Sequence, residues 1–219
     1  MYENINNVKS TEGIAEFEKQ FSKPDCVLLD SEYSSMGRMI GNKACKAAGY
    51  TYYDAVFLLD LVPETGVTRE EVRTFEQKLR KNDITREEII SEPGYDRITK
   101  AFDLAIDRAL AKGPCLIHDR ATKEMIEARG YSCVTVLTYA TDIHAKIIRA
   151  KVSPLYAGME NDEDVIAAMR EEDNIRKNYH KAHSDTVWGD KDTYDLCINS
   201  ETAGRDYTAE LIAHVMKAD

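Results

Sequence analysis

The chain has 219 residues, a formal net charge of −10, 43% hydrophobic and 31% charged residues. This is a globular composition with a polar surface, and its acidic balance excludes duplex nucleic acid as a main partner, because phosphate neutralisation needs a basic face. No apolar run reaches the ~20 residues of a membrane span, the N-terminus lacks the basic flank and apolar stretch of a signal peptide, and five cysteines without a C-x-x-C pair read as reduced core residues. A single cytoplasmic domain over 1–219 is expected, binding neither nucleic acid nor a membrane, with homo-oligomer formation left open.

Within an N-terminal extension over 1–25, Ile14, Phe17 and Phe21 at helical spacing predict a short helix over 11–21, which Pro24 and Asp25 end. Cys26, Val27, Leu28 and Leu29 form a continuous apolar run, as in a parallel strand covered on both faces. A turn of small residues follows, then a helix over 39–48 stopped by Gly49. Residues 50–53 form a short strand, and Asp54 stands as N-cap to a helix over 55–61. Thr68 three residues before Glu71, and Thr85 three before Glu88, are capping boxes that predict two helices between 68 and 90. The charged segment 60–95 therefore reads as a helical insert.

The second half alternates more regularly. Helices are predicted over 95–112, 122–129, 142–152, 162–183 and 207–216, and strands over 115–118, 133–137 and 194–199. Four or five short strands separated by helices imply an open, mainly parallel sheet with helices on both faces.

Three constellations can carry chemistry. In the turn after the first strand, Gly37 matches the second glycine of the phosphate-binding template G-x-x-x-x-G-K-[ST], while Arg38 replaces its lysine and Glu32 and Met39 replace its first glycine and hydroxyl. Backbone amides of Ser34, Ser35, Met36 and Gly37 at a helix N-terminus can hold an anion, with Arg38 adding charge; the plain alternative is a βα connection with Arg38 solvated. At the end of the third strand, His118, Asp119 and Arg120 would border the same crevice. Asp119 can hold Mg²⁺ through water or orient a hydroxyl, or it can simply pair with Arg120 or cap the next helix. On the long charged helix, Arg170, Asp173, Arg176 and Lys177 share one side, as a clamp over phosphates or as a solvated face. The histidines have no zinc spacing beyond the pair His180 and His183, and no structural metal is expected.

Glu172-Asp173-x-x-Arg176-x-x-Tyr179, then Val187-Trp188-Gly189-Asp190, then Tyr194-Asp195-Leu196-Cys197-Ile198-Asn199-Ser200 with Gly204 resemble the cytidylate kinase-like family of P-loop kinases. The turn from Ser31 to Ile40, the pair Tyr53-Asp54 and the stretch from His118 to Ala121 fall on its other motifs. The resemblance implies a three-layer α/β/α P-loop kinase fold with a mainly parallel sheet, an acceptor-binding insert over 60–95 and a lid over 153–190. It also implies transfer of the ATP γ-phosphate, with Mg²⁺, to a nucleoside monophosphate such as CMP. Ser34 to Met39 would seat the donor, Arg38, Arg170 and Arg176 would act on the transferring group, and Asp54, Asp119, Arg120 and Asp173 would meet the acceptor. Asp119 and Ala121 stand where the family has the glycines that flank the arginine at 120, and Ser34 and Met36 stand where its turn has glycines. A Cβ there opposes a left-handed backbone, and Glu32 brings a negative charge that Arg38 would need to pair. A fold of this kind that binds nucleotide without transfer, or a kinase of another small metabolite, are the alternatives.

Overall fold

The computed structural model describes residues 22–153, 156 and 158–218. The helix expected over 11–21 lies outside them. Five strands, β1 (Cys26–Ser31), β2 (Thr51–Tyr53), β3 (Cys115–His118), β4 (Cys133–Tyr139) and β5 (Leu196–Asn199), form one sheet in the order β2-β3-β1-β4-β5. Every pair is parallel, so each connection must cross over a face of the sheet. That requirement explains the helices between strands, α1 (Gly37–Ala48), α2 (Ala55–Leu59), α3 (Arg69–Lys78), α4 (Arg86–Ser91), α5 (Tyr95–Ala111), α6 (Lys123–Glu127), α7 (Ile143–Val152) and α8 (Asp162–His183); α9 (Ser200–Ala203) and α10 (Arg205–Met216) follow β5.

All six residues of β1 are buried, as its uninterrupted apolar run implies. Side chains alternate across the sheet. Val27 and Leu29 pack with Ile40, Ala44, Ile212 and Met216 of α1 and α10 on one face. Cys26 and Leu28 face the opposite core, built with Phe75, Phe102, Ile106, Ile175 and Tyr179 from α3, α5 and α8. The insert joins that core through Val72, Phe75, Leu79, Ile84 and Ile89, and both of its capping boxes form. A smaller cluster of Ile147, Ala150, Tyr156, Val165 and Met169 ties α7 to α8.

The strand order reverses beside β1. The chain leaves β1 for β2 and β3 on one side and then crosses to β4 on the other. In open α/β sheets such a switch point opens a crevice at the carboxyl ends of the strands, here at Ser31 and His118. Among the described residues, no helix is long and apolar enough to cross a membrane.

Candidate active site

The turn between Ser31 and Gly37 is tight, with the Ser35 amide donating to the Glu32 carbonyl at 3.1 Å. Ser34 and Met36 both take left-handed backbone, at φ 65° and 68°. Alternation of this kind turns successive N–H groups into a concave nest for an anion. The amides of Ser34, Met36, Gly37 and Arg38 donate to no acceptor among the described residues. Gly37 is required by packing: a Cβ there would lie 2.4 Å from Ser31 Cβ and 2.5 Å from Ser31 Oγ.

β3 supplies the opposite lip. Its register sets His118 beside Leu29, and the Asp119 amide continues the pairing to the Leu29 carbonyl at 3.1 Å. Asp119 is also left-handed, at φ 58°, and its Oδ1 accepts from the Ser31 amide at 3.1 Å. His118 Nε2 lies 2.8 Å from Ser31 Oγ and 3.2 Å from Asp119 Oδ2, while Nδ1 lies 2.8 Å from the Tyr52 hydroxyl. Burial lowers the His118 pKa, so the ring is neutral near pH 7 and carries one N–H. Each ring nitrogen has a hydroxyl within hydrogen-bond distance, Ser31 at Nε2 and Tyr52 at Nδ1, and a hydroxyl can either donate or accept. Burial alone would raise Asp119, but His118, Arg176 and Arg120 outweigh it and hold the carboxyl below its usual range.

The helix α8 closes this space. Arg176 donates from Nε to Asp119 Oδ2 at 3.0 Å, reaches Asp173 at 3.3 Å, and lies over the Tyr33 ring. Asp173 accepts from the Tyr33 amide at 2.6 Å, joining α8 to the turn after β1. Burial lifts the Asp173 carboxyl to about 6 against the opposing pull of Arg176. Asp30, below the turn, is lifted to about 7 by burial and by Asp119, although Tyr194 donates to it at 2.8 Å.

Together these elements enclose a cavity of about 740 Å³, a size typical of small-molecule sites. Of the residues named from sequence, Glu32, Ser34, Met36, Gly37, Arg38, Met39, Asp54, His118, Asp119, Arg120 and Arg176 line it. Ser35 lies wholly buried beneath the turn, 3.3 Å from Thr138 Oγ1. Asp173 braces the turn from behind, and Arg170 is exposed on α8 and does not line the cavity.

Ion pairing differs from expectation. Glu32 pairs with Lys146 of α7 at 3.0 Å, while Arg38 pairs with Asp54 at 3.1 Å. Asp119 neither pairs with Arg120 nor caps α6: Thr122 holds the N-cap position, and Arg120 bonds Glu76 and stacks 5.3 Å over Tyr179. Through-space neighbours across the crevice set these choices, overriding adjacency in sequence.

Arg149 is a cavity residue that the motifs did not reveal. Its Nε donates to the Ser34 carbonyl at 2.7 Å, and its Nη2 is buried without a partner among the described residues. Lys146 and Arg149, three apart on the helix after β4, were the available signal, since the carboxyl end of every central strand borders the crevice. The tail motif proves to be scaffolding. Tyr194 bonds Asp30, Asp195 accepts from the Thr135 amide and hydroxyl, Asn199 caps α9, and Ser200 donates to the carbonyls of Ser35 and Tyr139.

Comparison with solved structures finds an uncharacterized protein from Eubacterium ventriosum at 18% identity and TM-score 0.65, covering 90% of this chain and 100% of that one. A shikimate kinase from Acinetobacter baumannii in complex with shikimate is 12% identical over 91% of this chain and 96% of its own, at TM-score 0.44. No curated protein matches the sequence. The model of the cytidylate kinase-like family matches residues 26–202. That span takes in the phosphate turn, the insert, α8 and the tail motif, and the chain therefore belongs to the cytidylate kinase-like family.

Proposed function

We propose that this protein is a nucleotide-dependent phosphotransferase that moves the γ-phosphoryl group of ATP to a small acceptor in the cavity. The observation that carries this reading is the turn at the switch point, whose four uncommitted amides line the cavity at the N-terminus of α1. In this reading the segment from Ser34 to Met39 seats the donor phosphates. Arg38 and Arg176 offset the charge that spreads over the transferring group, and Asp54, Asp119 and Arg120 border the acceptor. Arg170 would reach the reaction only through movement of α8. The family's description points to a nucleoside monophosphate such as CMP as the first acceptor to test. Action in the cytoplasm accords with the absence of any membrane-crossing helix among the described residues.

A Mg²⁺ ion held by the protein itself does not fit these residues. Met39 offers no oxygen where the phosphate-binding template has a hydroxyl, and no group of three or more His, Cys, Asp or Glu among the described residues is placed around an ion. The substrate in this reading is the magnesium complex of ATP, with the ion carried on phosphate and water oxygens.

The first test is thermal denaturation with ATP and Mg²⁺. Saturation at a hundredfold excess over Kd should stabilise the protein by ~2.7 kcal/mol. A coupled assay for ADP release with a panel of nucleoside monophosphates then reads transfer, and neither stabilisation nor turnover would sink the proposal. A second reading, nucleotide binding without transfer, is favoured by the pairing of Arg38, Arg120 and Arg176 with carboxylates. Stabilisation by ATP with no turnover on any acceptor would support it.

A further inference from the structure

The cavity wall is paired charge by charge. Arg38 meets Asp54, Arg120 meets Glu76, and Arg176 meets Asp119. Arg120 is the most completely committed: its guanidinium donates to Glu76 and to the Asp119 carbonyl and stacks on Tyr179. The donor turn is different: among the described residues the amides of Ser34, Met36, Gly37 and Arg38 have no acceptor, and Arg149, although its Nη1 lies 3.5 Å from Glu201, keeps a buried Nη2 without one. One side of the cavity is prepared for an anion and the other is not.

A dianionic phosphate monoester placed against Arg120 would lie beside Glu76. Like charges at such separations oppose binding, and removing the carboxylate from its guanidinium leaves a charge unpaired. An uncharged acceptor with several hydroxyls meets the opposite situation. Carboxylate oxygens accept its O–H hydrogens and guanidinium nitrogens donate to its oxygens without disturbing the pairs.

We propose that the acceptor is an uncharged, hydroxyl-bearing small molecule, and that Asp119 is the catalytic residue that takes the proton of the reacting hydroxyl. This rests on the phosphotransferase reading and replaces the monophosphate acceptor that the family suggests. The acceptor oxygen forms a bond to the γ-phosphorus, the bond from that phosphorus to the β–γ bridging oxygen breaks, ADP leaves with the electron pair, and the hydroxyl proton passes to Asp119. Two of the roughly four lone-pair sites of that carboxylate are taken, by the Ser31 amide and Arg176, which leaves room for the acceptor hydroxyl. An alcohol needs such a base, whereas a phosphate acceptor is already ionised at neutral pH. The left-handed backbone at Asp119 holds the carboxylate against β1, where the donor turn begins.

The experiment has two arms, both run after binding of a non-hydrolysable ATP analogue with Mg²⁺ has been measured. In the first, ATP and Mg²⁺ are offered with nucleoside monophosphates and with uncharged ribonucleosides, free sugars and polyols, and products are read by phosphorus NMR. Phosphorylation of an uncharged acceptor is expected, with Asp119→Asn slowing it on the order of 10²–10⁴-fold while the analogue still binds. Asparagine tolerates left-handed backbone, so the variant keeps the turn. Faster turnover of any monophosphate overturns the proposal and leaves the phosphotransferase reading standing.

In the second arm, inorganic phosphate is titrated into the protein already saturated with the analogue. The wild type should bind no second anion over the titrated range, and Glu76→Gln, which frees Arg120, should gain one. A second phosphate on the wild type, or none on either protein, overturns the proposal whatever the acceptor panel contains. Failure of the analogue itself to bind would remove the underlying phosphotransferase reading as well.

Discussion

Ser34, Met36 and Asp119 each carry a Cβ in a conformation that glycine adopts freely, at a cost of roughly 1–2 kcal/mol per residue. Their backbone is held by neighbours: Arg149 on the Ser34 carbonyl, the apolar core against Met36, and the Ser31 amide on Asp119. Left-handed backbone kept at that cost around one cavity is where function is expected to store strain. Ser34→Gly should therefore raise stability by about 0.5–1 kcal/mol in urea denaturation and keep ATP binding. Gly37→Ala should act in reverse. Its Cβ meets Ser31, a fully paired residue of β1, so a loss of about 1–3 kcal/mol and of nucleotide-dependent stabilisation is expected.

At the scale of elements, α8 ties the two lips of the site together. Its inner side reaches the turn through Asp173, Asp119 through Arg176, and Arg120 through Tyr179. Arg170, six residues earlier, is exposed and outside the cavity. Arg176→Ala should lower kcat/KM by on the order of 10²–10³-fold, in the range of other lost charge-stabilising donors. Arg170→Ala should stay within about twofold, as for ordinary surface positions. Equal losses in both would mean that α8 rotates during the reaction. The elements themselves were legible in sequence where the signal was local. Thr68 with Glu71 and Thr85 with Glu88 name their helices, and Asp54 caps α2 as its spacing suggested. The short helix α9 was missed because its cap, Asn199, sits inside a strand-like apolar run.

Across the whole molecule, the crevice gathers acids whose titration is displaced by folding. Asp30 is held near 7 by burial and by Asp119, above its value in an unfolded chain. The native state then binds the extra proton between about pH 4 and 7, so this group's contribution is full at low pH and is lost as pH rises through 7. The neutral buried histidines His118, His180 and His183 act oppositely, losing their contribution as pH falls through the unfolded value near 6.5. Asp30→Asn removes the acid while His118 and His183 stay common to both proteins; His180, 4.0 Å from Asp30, is the histidine that the substitution touches. The stability of this variant relative to wild type should climb from pH 4 to pH 8 by ~1.4 kcal/mol for each pKa unit of displacement. A flat difference in paired denaturation curves would place the displaced titration elsewhere.

Apolar runs, helical spacing and capping boxes determined the strands, most helices and the place of the phosphate turn, because those features depend on neighbours a few residues away. The charge partners did not follow from sequence. Arg38 with Asp54, Glu32 with Lys146, Arg120 with Glu76 and Arg176 with Asp119 join residues 16 to 114 positions apart. The sheet order that sets β3 and β4 on either side of β1 brings them together. The same holds for the turn: side-chain sterics at Ser34 and Met36 argued against a glycine-like path, yet tertiary contacts hold the backbone on it. Local propensity is worth about a kilocalorie per residue, and a packed crevice with several bonds to the same segment outweighs it.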